Sequence, residues 1–369
     1  MRKYSGIFEL VASFVLAFVI IVAFFREKQN FENLALGATT KTFFAEINGA
    51  PIQTLGFRKQ AELLKGLKER NPEKVVLMLG NSQSHSINQL KKGDMTFTAL
   101  LSDSLRPSST DVLCSSIPNA TLEDYYLLYK GWKSRLKIDV LVLPVFLDDT
   151  REEGIQETFY HDLGDFRIAD KNEVAEKVNV QLDKMNQQAS DFPALKQTFQ
   201  EKTENRINDI LDNHFTPWHL RANVRGVVFN DLNKLRNTVF GINASTKRPV
   251  IRNTYERNRM ALKAILDDCK NSSIPVLLYI PPIRNDYEIP YISSEYEAFK
   301  KEMEALCQQY GVKFMNLENA VPNQYWGLKG NRTLGGGRYD IDFMHFQYPG
   351  HKLVAAALQP EIKKLLTNR

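Results

Sequence analysis

An α/β fold with a parallel sheet covered by helices on both faces is predicted by two features of the sequence. Short apolar runs recur at residues 75–79 (VVLML), 112–114 (VLC), 140–143 (VLVL) and 274–280 (IPVLLYI), and residues 312–317 add a fifth strand. Apolar runs of this length, without polar alternation, mark strands buried on both faces. Segments of helical periodicity separate them, and such alternation builds parallel sheets.

The elements follow in order. Residues 29–70 read as a linker that ends in an amphipathic helix, and residues 96–105 as a helix. Over 121–136, Leu122, Tyr125, Tyr126, Tyr129 and Trp132 fall on one helical face. Residues 254–271 are helical. Over 294–310 the apolar face is Tyr296, Phe299, Met303 and Leu306; Ser294 and Glu297 have capping-box spacing, and Gly311 is placed to end the helix. A final helix covers 349–366. Residues 151–253 break the rhythm, with polar helical stretches near 173–187, 193–213 and 220–238 and no strong strand. They read as a helical insertion, a lid or an interaction surface. The expected organisation is an anchor (1–28), a linker and helix (29–70), a first core segment (71–150), the insertion (151–253) and a second core segment (254–369).

The chain has 369 residues, 43% hydrophobic and 25% charged, which is a globular composition. Its net charge of +5 is spread over 48 basic and 43 acidic residues, too dispersed for nucleic-acid binding. The three cysteines, Cys114, Cys269 and Cys307, have no zinc-ligand spacing. They read as buried thiols, with one disulfide left open. Residues 7–25 form a 19-residue apolar run broken by Glu9 and Ser13, long enough to span a bilayer. It lacks a small-residue cleavage site, so an uncleaved anchor is expected, with residues 29–369 on one side. Arg2 and Lys3 before it balance Arg26 and Lys28 after it, so charge does not fix the orientation.

In parallel sheets, ligands bind beyond the carboxyl ends of the strands. The first predicted strand ends in Gly80-Asn81-Ser82-Gln83-Ser84-His85. Gly80 allows a tight turn that would present Ser82, although Asn81 or Ser82 as a plain helix N-cap explains the same letters. Asp342 and His345 precede the final helix on a loop after the last strand. A serine needs a base to become a nucleophile, and the histidine needs a carboxylate to fix its tautomer. Asp340, Asp342 and His345 could instead hold a metal, but no second ligand cluster accompanies them, so neither metal nor organic cofactor is expected. His214 and His219, flanking Trp218, are a weaker metal candidate. Gly335-Gly336-Gly337 has no following lysine and is read as a mobile loop beside the site.

Gly80-Asn81-Ser82 resembles the G-D-S block of SGNH hydrolases, and Asp342-x-x-His345 resembles that family's closing D-x-x-H block. Residues 115–124 are similar to its second block, and Pro281-Pro282 also suits it. The resemblance covers 74–150 and 254–369. It implies a flavodoxin-like three-layer sandwich with Ser82, Asp342 and His345 as catalytic triad. Oxyanion or substrate-binding roles fall to Gly80, Asn81 and Asn119, with His85 and Arg284 as further lining residues; for His85 and Arg284 a surface histidine and a surface salt bridge stay open. Asn119 replaces the glycine of the second block, and asparagine tolerates left-handed geometry. The third block's asparagine is missing from Leu143–Asp149, which removes one oxyanion donor. An α/β-hydrolase would place its serine after a central strand and its acid and base on separate loops.

Gly80-x-Ser82-x-Ser84 is further similar to proteins that transfer D-alanine to teichoic acids, and to SGNH-like proteins working beside membrane-bound O-acyltransferases on exopolysaccharides. The resemblance implies an extracytoplasmic acyltransferase or esterase acting on a cell-envelope polysaccharide or teichoic acid. Its partners would be the membrane and an O-acyltransferase. The rival expectation is a non-catalytic anchored scaffold or glycan-binding subunit.

Overall fold

The computed structural model describes residues 11–20, 40–88, 91–191, 199–331 and 338–367, with 48 and 92 excepted. These form two compact units: a larger one of Thr40–Ala189, Ala244–Leu328 and Ile341–Arg369, and a smaller one drawn from Met1–Thr39, Ser190–Asn243 and Lys329–Asp340.

The larger unit is an α/β fold around a six-stranded, wholly parallel sheet. Its strands are β1 (Gln53–Leu55), β2 (Lys74–Gly80), β3 (Thr110–Ser116), β4 (Val140–Pro144), β5 (Val276–Ile280) and β6 (Lys313–Asn316). Their order across the sheet is β6-β5-β4-β2-β3-β1. From β2 the chain steps to β3 on one side, then returns to β4 on the other. That reversal opens a crevice at the carboxyl end of β2, where doubly wound sheets bind ligands.

Successive side chains of a strand point to opposite faces. Val76, Met78, Val112, Cys114, Val140 and Val142 pack with Phe97 and Leu101 of α1 (Phe97–Leu105) and with Val354, Leu358 and Ile362 of the helix Tyr348–Thr367. Leu77, Leu79, Leu113, Leu141 and Leu143 pack the other way, against Tyr125 and Tyr129 of α2 (Leu122–Lys133) and Leu262 and Ile265 of α3 (Arg252–Asn271). The two clusters make three layers. Burying one leucine-sized side chain is worth about 1.5–3 kcal/mol, so the strand runs alone supply much of the drive to fold.

Several elements differ from expectation. Strand β1 lies inside the stretch read as a linker. Its Gln53 and Thr54 are polar yet buried, because Gln53 Nε2 donates to the Ser84 carbonyl at 2.8 Å and Gln53 Oε1 accepts from Thr98 Oγ1 at 3.2 Å. The expected capping box at Ser294 and Glu297 is absent: the helix starts at Ser293 behind Ile292, which makes no side-chain cap, and Ser294 sits within the first turn. The box occurs instead at Thr121 and Asp124, opening α2. Gly311 does end its helix, at φ 67°. Asp342 and His345 lie in a strand, Arg338–Phe346, paired with Trp326–Asn331, rather than on a loop.

From the segment read as an insertion, Val174, Ala175, Val178, Leu182 and Met185 of the helix Glu173–Asp191 pack into the larger unit's core. The smaller unit holds the helices Phe199–His214, Thr216–His219 and Arg221–Val239. Residues 11–20 are helical with outward apolar side chains. Among the described residues no helix is long and apolar enough to cross a membrane; the rest of the run 7–25, and Gly335-Gly336-Gly337, lie outside them. The three cysteines are free and buried.

Candidate active site

Strand β2 delivers Ser82 to the crevice through a turn that only glycine permits at position 80. A Cβ there would lie 2.0 Å from Ser84 Oγ and 2.8 Å from Ser84 Cβ. The turn is tied to its neighbours on both sides: Gly80 O accepts from the Ile117 N–H at 3.0 Å, and Asn81 O from the Ser84 N–H at 3.0 Å. Ser82 then opens a single helical turn, Ser82–His85.

Ser82 Oγ stands 2.9 Å from His345 Nε2, although 263 residues separate the two. On its other side, His345 Nδ1 lies 3.0 Å from Asp342 Oδ2 and 3.1 Å from Oδ1. All three residues are buried. Asp342 Oδ1 also accepts the N–H groups of Met344 and His345, both at 3.0 Å. Asn88 Nδ2 donates to Asp342 Oδ2 at 3.0 Å and to the His345 carbonyl at 2.8 Å. Burial presses the Asp342 carboxyl upward, but the facing His345 and these donors outweigh it and hold the group well below the usual carboxylate range. Asp342 is therefore an anion able to fix the proton of His345 on Nδ1, which leaves Nε2 as acceptor for the Ser82 hydroxyl.

Gln83 fastens the two ends of the chain together. Its Nε2 donates to the carbonyls of Met344 at 2.7 Å and Pro282 at 3.0 Å. Neither Asn88 nor Gln83 was flagged by the sequence, because a lone carboxamide carries no motif.

Asn119 lies beyond β3 in the left-handed region, at φ 52°. Gln156 Nε2 donates to the carbonyls of Pro118 and Asn119, each at 2.7 Å. The Pro118 carbonyl and the Asn119 N–H belong to one planar peptide and point opposite ways. Pinning that carbonyl therefore fixes the direction of the N–H. Gln156 is a third residue that no motif announced.

Of the remaining candidates, Asn81 and His85 are placed differently from expectation, while Arg284 is held in a salt bridge. The Asn81 side chain is no free oxyanion donor: its Oδ1 accepts from the Gln83 N–H at 3.1 Å and its Nδ2 donates to Asp149 Oδ1 at 3.2 Å. Asp149 occupies the stretch where the third block's asparagine is absent. Burial raises its carboxyl to about 8, against the pull of the Phe146 N–H and Asn81. His85 is not at the surface. It is fully buried, with Nδ1 2.8 Å from Ser116 Oγ, and burial together with the nearby His345 lowers it to about 3. Arg284 is also buried. Its Nε and Nη2 reach Asp286 at 2.6 and 2.9 Å, and its Nη1 donates to the Gly327 carbonyl at 2.9 Å. The guanidinium is thus committed to Asp286 and to the strand Trp326–Asn331, while the Arg284 backbone N–H donates to the Phe343 carbonyl of the triad strand at 3.1 Å. His351 packs between Phe97 and Phe346, and its Nδ1 accepts from the Phe97 N–H at 3.0 Å. No group of three or more metal-ligating side chains occurs among the described residues.

Comparison with known proteins gives limited company. No family model matches the chain, and no curated protein matches it. Among solved structures, it is similar to a GDSL-like lipase from Bacteroides thetaiotaomicron (TM-score 0.37, 11% identity, 84% of this chain and 97% of that one). It is similar also to a lipase/acylhydrolase from Enterococcus faecalis (0.37, 12%, 79% and 96%). A third is an acetylxylan esterase from Geobacillus stearothermophilus (0.36, 10%, 79% and 94%). At such scores these likenesses bear no weight for activity, and the reading of the site rests on its own geometry.

Proposed function

We propose that the protein is a serine acyl-transferring enzyme of the SGNH type, an esterase or O-acyltransferase, with Ser82 as nucleophile. The observation that carries this is the 2.9 Å approach of Ser82 Oγ to His345 Nε2, with Asp342 behind Nδ1. In the first half-reaction Ser82 Oγ bonds to the acyl carbon while His345 Nε2 takes the hydroxyl proton. The N–H groups of Ser82 and Asn119 face the developing oxyanion, an arrangement in which each donor is worth about 10²–10³ in rate. The acyl–oxygen bond then breaks, and His345 returns the proton to the leaving alkoxide. In the second half-reaction a hydroxyl of the acceptor, or water, attacks the acyl-serine with His345 again as base; the bond from Ser82 Oγ to the acyl carbon then breaks, and His345 returns the proton to Ser82 Oγ.

The substrate we assign is an acyl ester on a cell-envelope polysaccharide or teichoic acid, handled outside the cytoplasmic membrane with residues 7–25 as anchor. A membrane-bound O-acyltransferase would hand over the acyl group. Support comes from the apolar run and from the missing third-block donor: its loss slows hydrolysis and transfer alike, but a reaction between tethered partners gains rate from proximity and needs less from the site. A fluorophosphonate probe tests the enzyme reading. Covalent labelling that disappears in Ser82→Ala is expected. No labelling of the folded wild-type chain, with glycan binding retained, would leave the anchored scaffold.

A further inference from the structure

In the smaller unit, the helix Arg221–Val239 turns an apolar stripe outward. Val228, Leu232, Leu235 and Val239 are 41%, 55%, 61% and 70% exposed. Their spacing of four, three and four residues places them within about 60° of arc at 100° per residue. Phe240, just past the helix end, is a further exposed apolar residue, at 72%. An exposed apolar band of this kind marks a surface that something else covers.

Two observations point to what covers it. Phe18, within the apolar run 7–25, lies against Phe215 with ring centroids 6.1 Å apart. Phe215 immediately precedes the short turn Thr216–His219 that leads into the helix. The helix thus begins close to the apolar run, and its exposed stripe starts two turns further on, at Val228. The helix is also basic in sequence: Arg225, Lys234 and Arg236 stand against the single acid Asp231, besides Arg221, which is paired with Asp212. An apolar stripe on a net-positive helix suits the plane of an anionic bilayer surface, with apolar side chains among the acyl chains and basic ones at the headgroups.

We infer that the helix Arg221–Val239 lies in the headgroup region of an anionic membrane, its Val228–Leu232–Leu235–Val239 face inserted. This rests on the reading of residues 7–25 as an anchor. It adds a second membrane contact that would hold the smaller unit flat on the lipid instead of swinging on the anchor.

The test uses the full chain in vesicles of phosphatidylglycerol and phosphatidylcholine, with Leu235→Cys carrying a nitrobenzoxadiazole label. The native thiols are buried, so the exposed one takes the label. The expected result is a blue-shifted emission, quenched by lipids with a nitroxide near the headgroup and protected from aqueous iodide. The shift should weaken when phosphatidylglycerol is left out. A chain that floats with the vesicles while its label stays open to iodide would overturn the helix contact and leave the anchor standing. Shielding from both quenchers, with a doubled mass in mild detergent, would replace the lipid by a second copy of the chain. A chain that does not float would overturn anchor and helix contact together.

Discussion

The carboxamide of Asn88 donates to the Asp342 carboxylate at 3.0 Å, and to the carbonyl of His345, the residue that Asp342 orients, at 2.8 Å. One side chain thus sets both the acid and the backbone of the base. A hydrogen bond to a charged group is worth about 1.5–3 kcal/mol, or roughly 10- to 100-fold in rate. Asn88→Ala is expected to lower kcat by that factor with KM nearly unchanged. Asp342→Asn should cost about 10⁴. Steady-state kinetics on a small acyl ester separate the two; an unchanged kcat in Asn88→Ala would reduce this contact to packing.

Gln156 holds a non-glycine residue in left-handed geometry by clasping the Pro118 and Asn119 carbonyls. Gln156→Ala should release the Asn119 peptide and lower kcat by at least about tenfold, toward the 10²–10³ lost with an oxyanion donor. Asn119→Gly, which accepts the backbone angle freely, should stay within about twofold of wild type. A large loss in Asn119→Gly would shift the role from the N–H to the asparagine side chain.

At Gly80 the obstacle is a single neighbour. Gly80→Ala forces its Cβ onto Ser84, an overpacking that typically costs about 1–3 kcal/mol, and it displaces the nucleophile turn. With Ser84→Gly added, the next contact is Ser116 Cβ at 3.6 Å, an ordinary distance. Denaturation midpoints should show the double variant recovering most of the loss, apart from roughly 0.5–1 kcal/mol for glycine in a helical turn. Equal damage in both variants would place the strain elsewhere.

His85 and His351 are lowered to about 3 by burial and by the nearby His345, whereas an unfolded chain protonates them near 6.5. Between these values the unfolded state binds protons the folded state refuses. Their contribution to stability is full above about 6.5 and is lost as pH falls toward 3. His351→Asn keeps an acceptor for the Phe97 N–H while removing one titration. Its melting temperature should therefore fall less steeply than that of wild type across this window. Parallel curves would show that His351 charges freely in the fold.

Asp149 has the opposite sign. Its carboxyl is raised to about 8 by burial, from 3.8. The folded chain then holds a proton that the unfolded chain has released, so stability is highest below 3.8 and declines as pH rises toward 8. Asp149→Asn should flatten that decline, seen as a smaller drop in melting temperature between pH 5 and 8. An unaltered slope would mean that Asp149 is ionised throughout.

The sheet was legible because its strands are buried on both faces and so read as unbroken apolar runs. Strand β1 was not, since Gln53 and Thr54 satisfy themselves through Ser84, Thr98 and the backbone rather than through apolar burial. The rule that sites lie at the carboxyl ends of parallel strands located Ser82 after β2, whereas Asp342 and His345 reach it from within the separate strand Arg338–Phe346, which the sequence read as a loop. The supporting carboxamides Asn88, Gln83 and Gln156 have no signature, because their partners are mostly main-chain carbonyls that any sequence supplies. His85 misled for a related reason: a polar residue near a motif reads as exposed, and only the fold reveals the buried Ser116 that holds it; for Arg284 the salt bridge left open by the sequence is present, with Asp286, but the guanidinium itself is buried.

Lys74 Nζ, at the start of β2, donates to the carbonyl of Leu366 at 2.7 Å, across 292 residues. During synthesis the nucleophile emerges from the ribosome long before its base. Until residues 342–367 have been made and docked, the serine hydroxyl is as inert as any other. A nascent or prematurely terminated chain therefore lacks the assembled Ser82–His345–Asp342 arrangement, which requires the segment that leads into the helix Tyr348–Thr367.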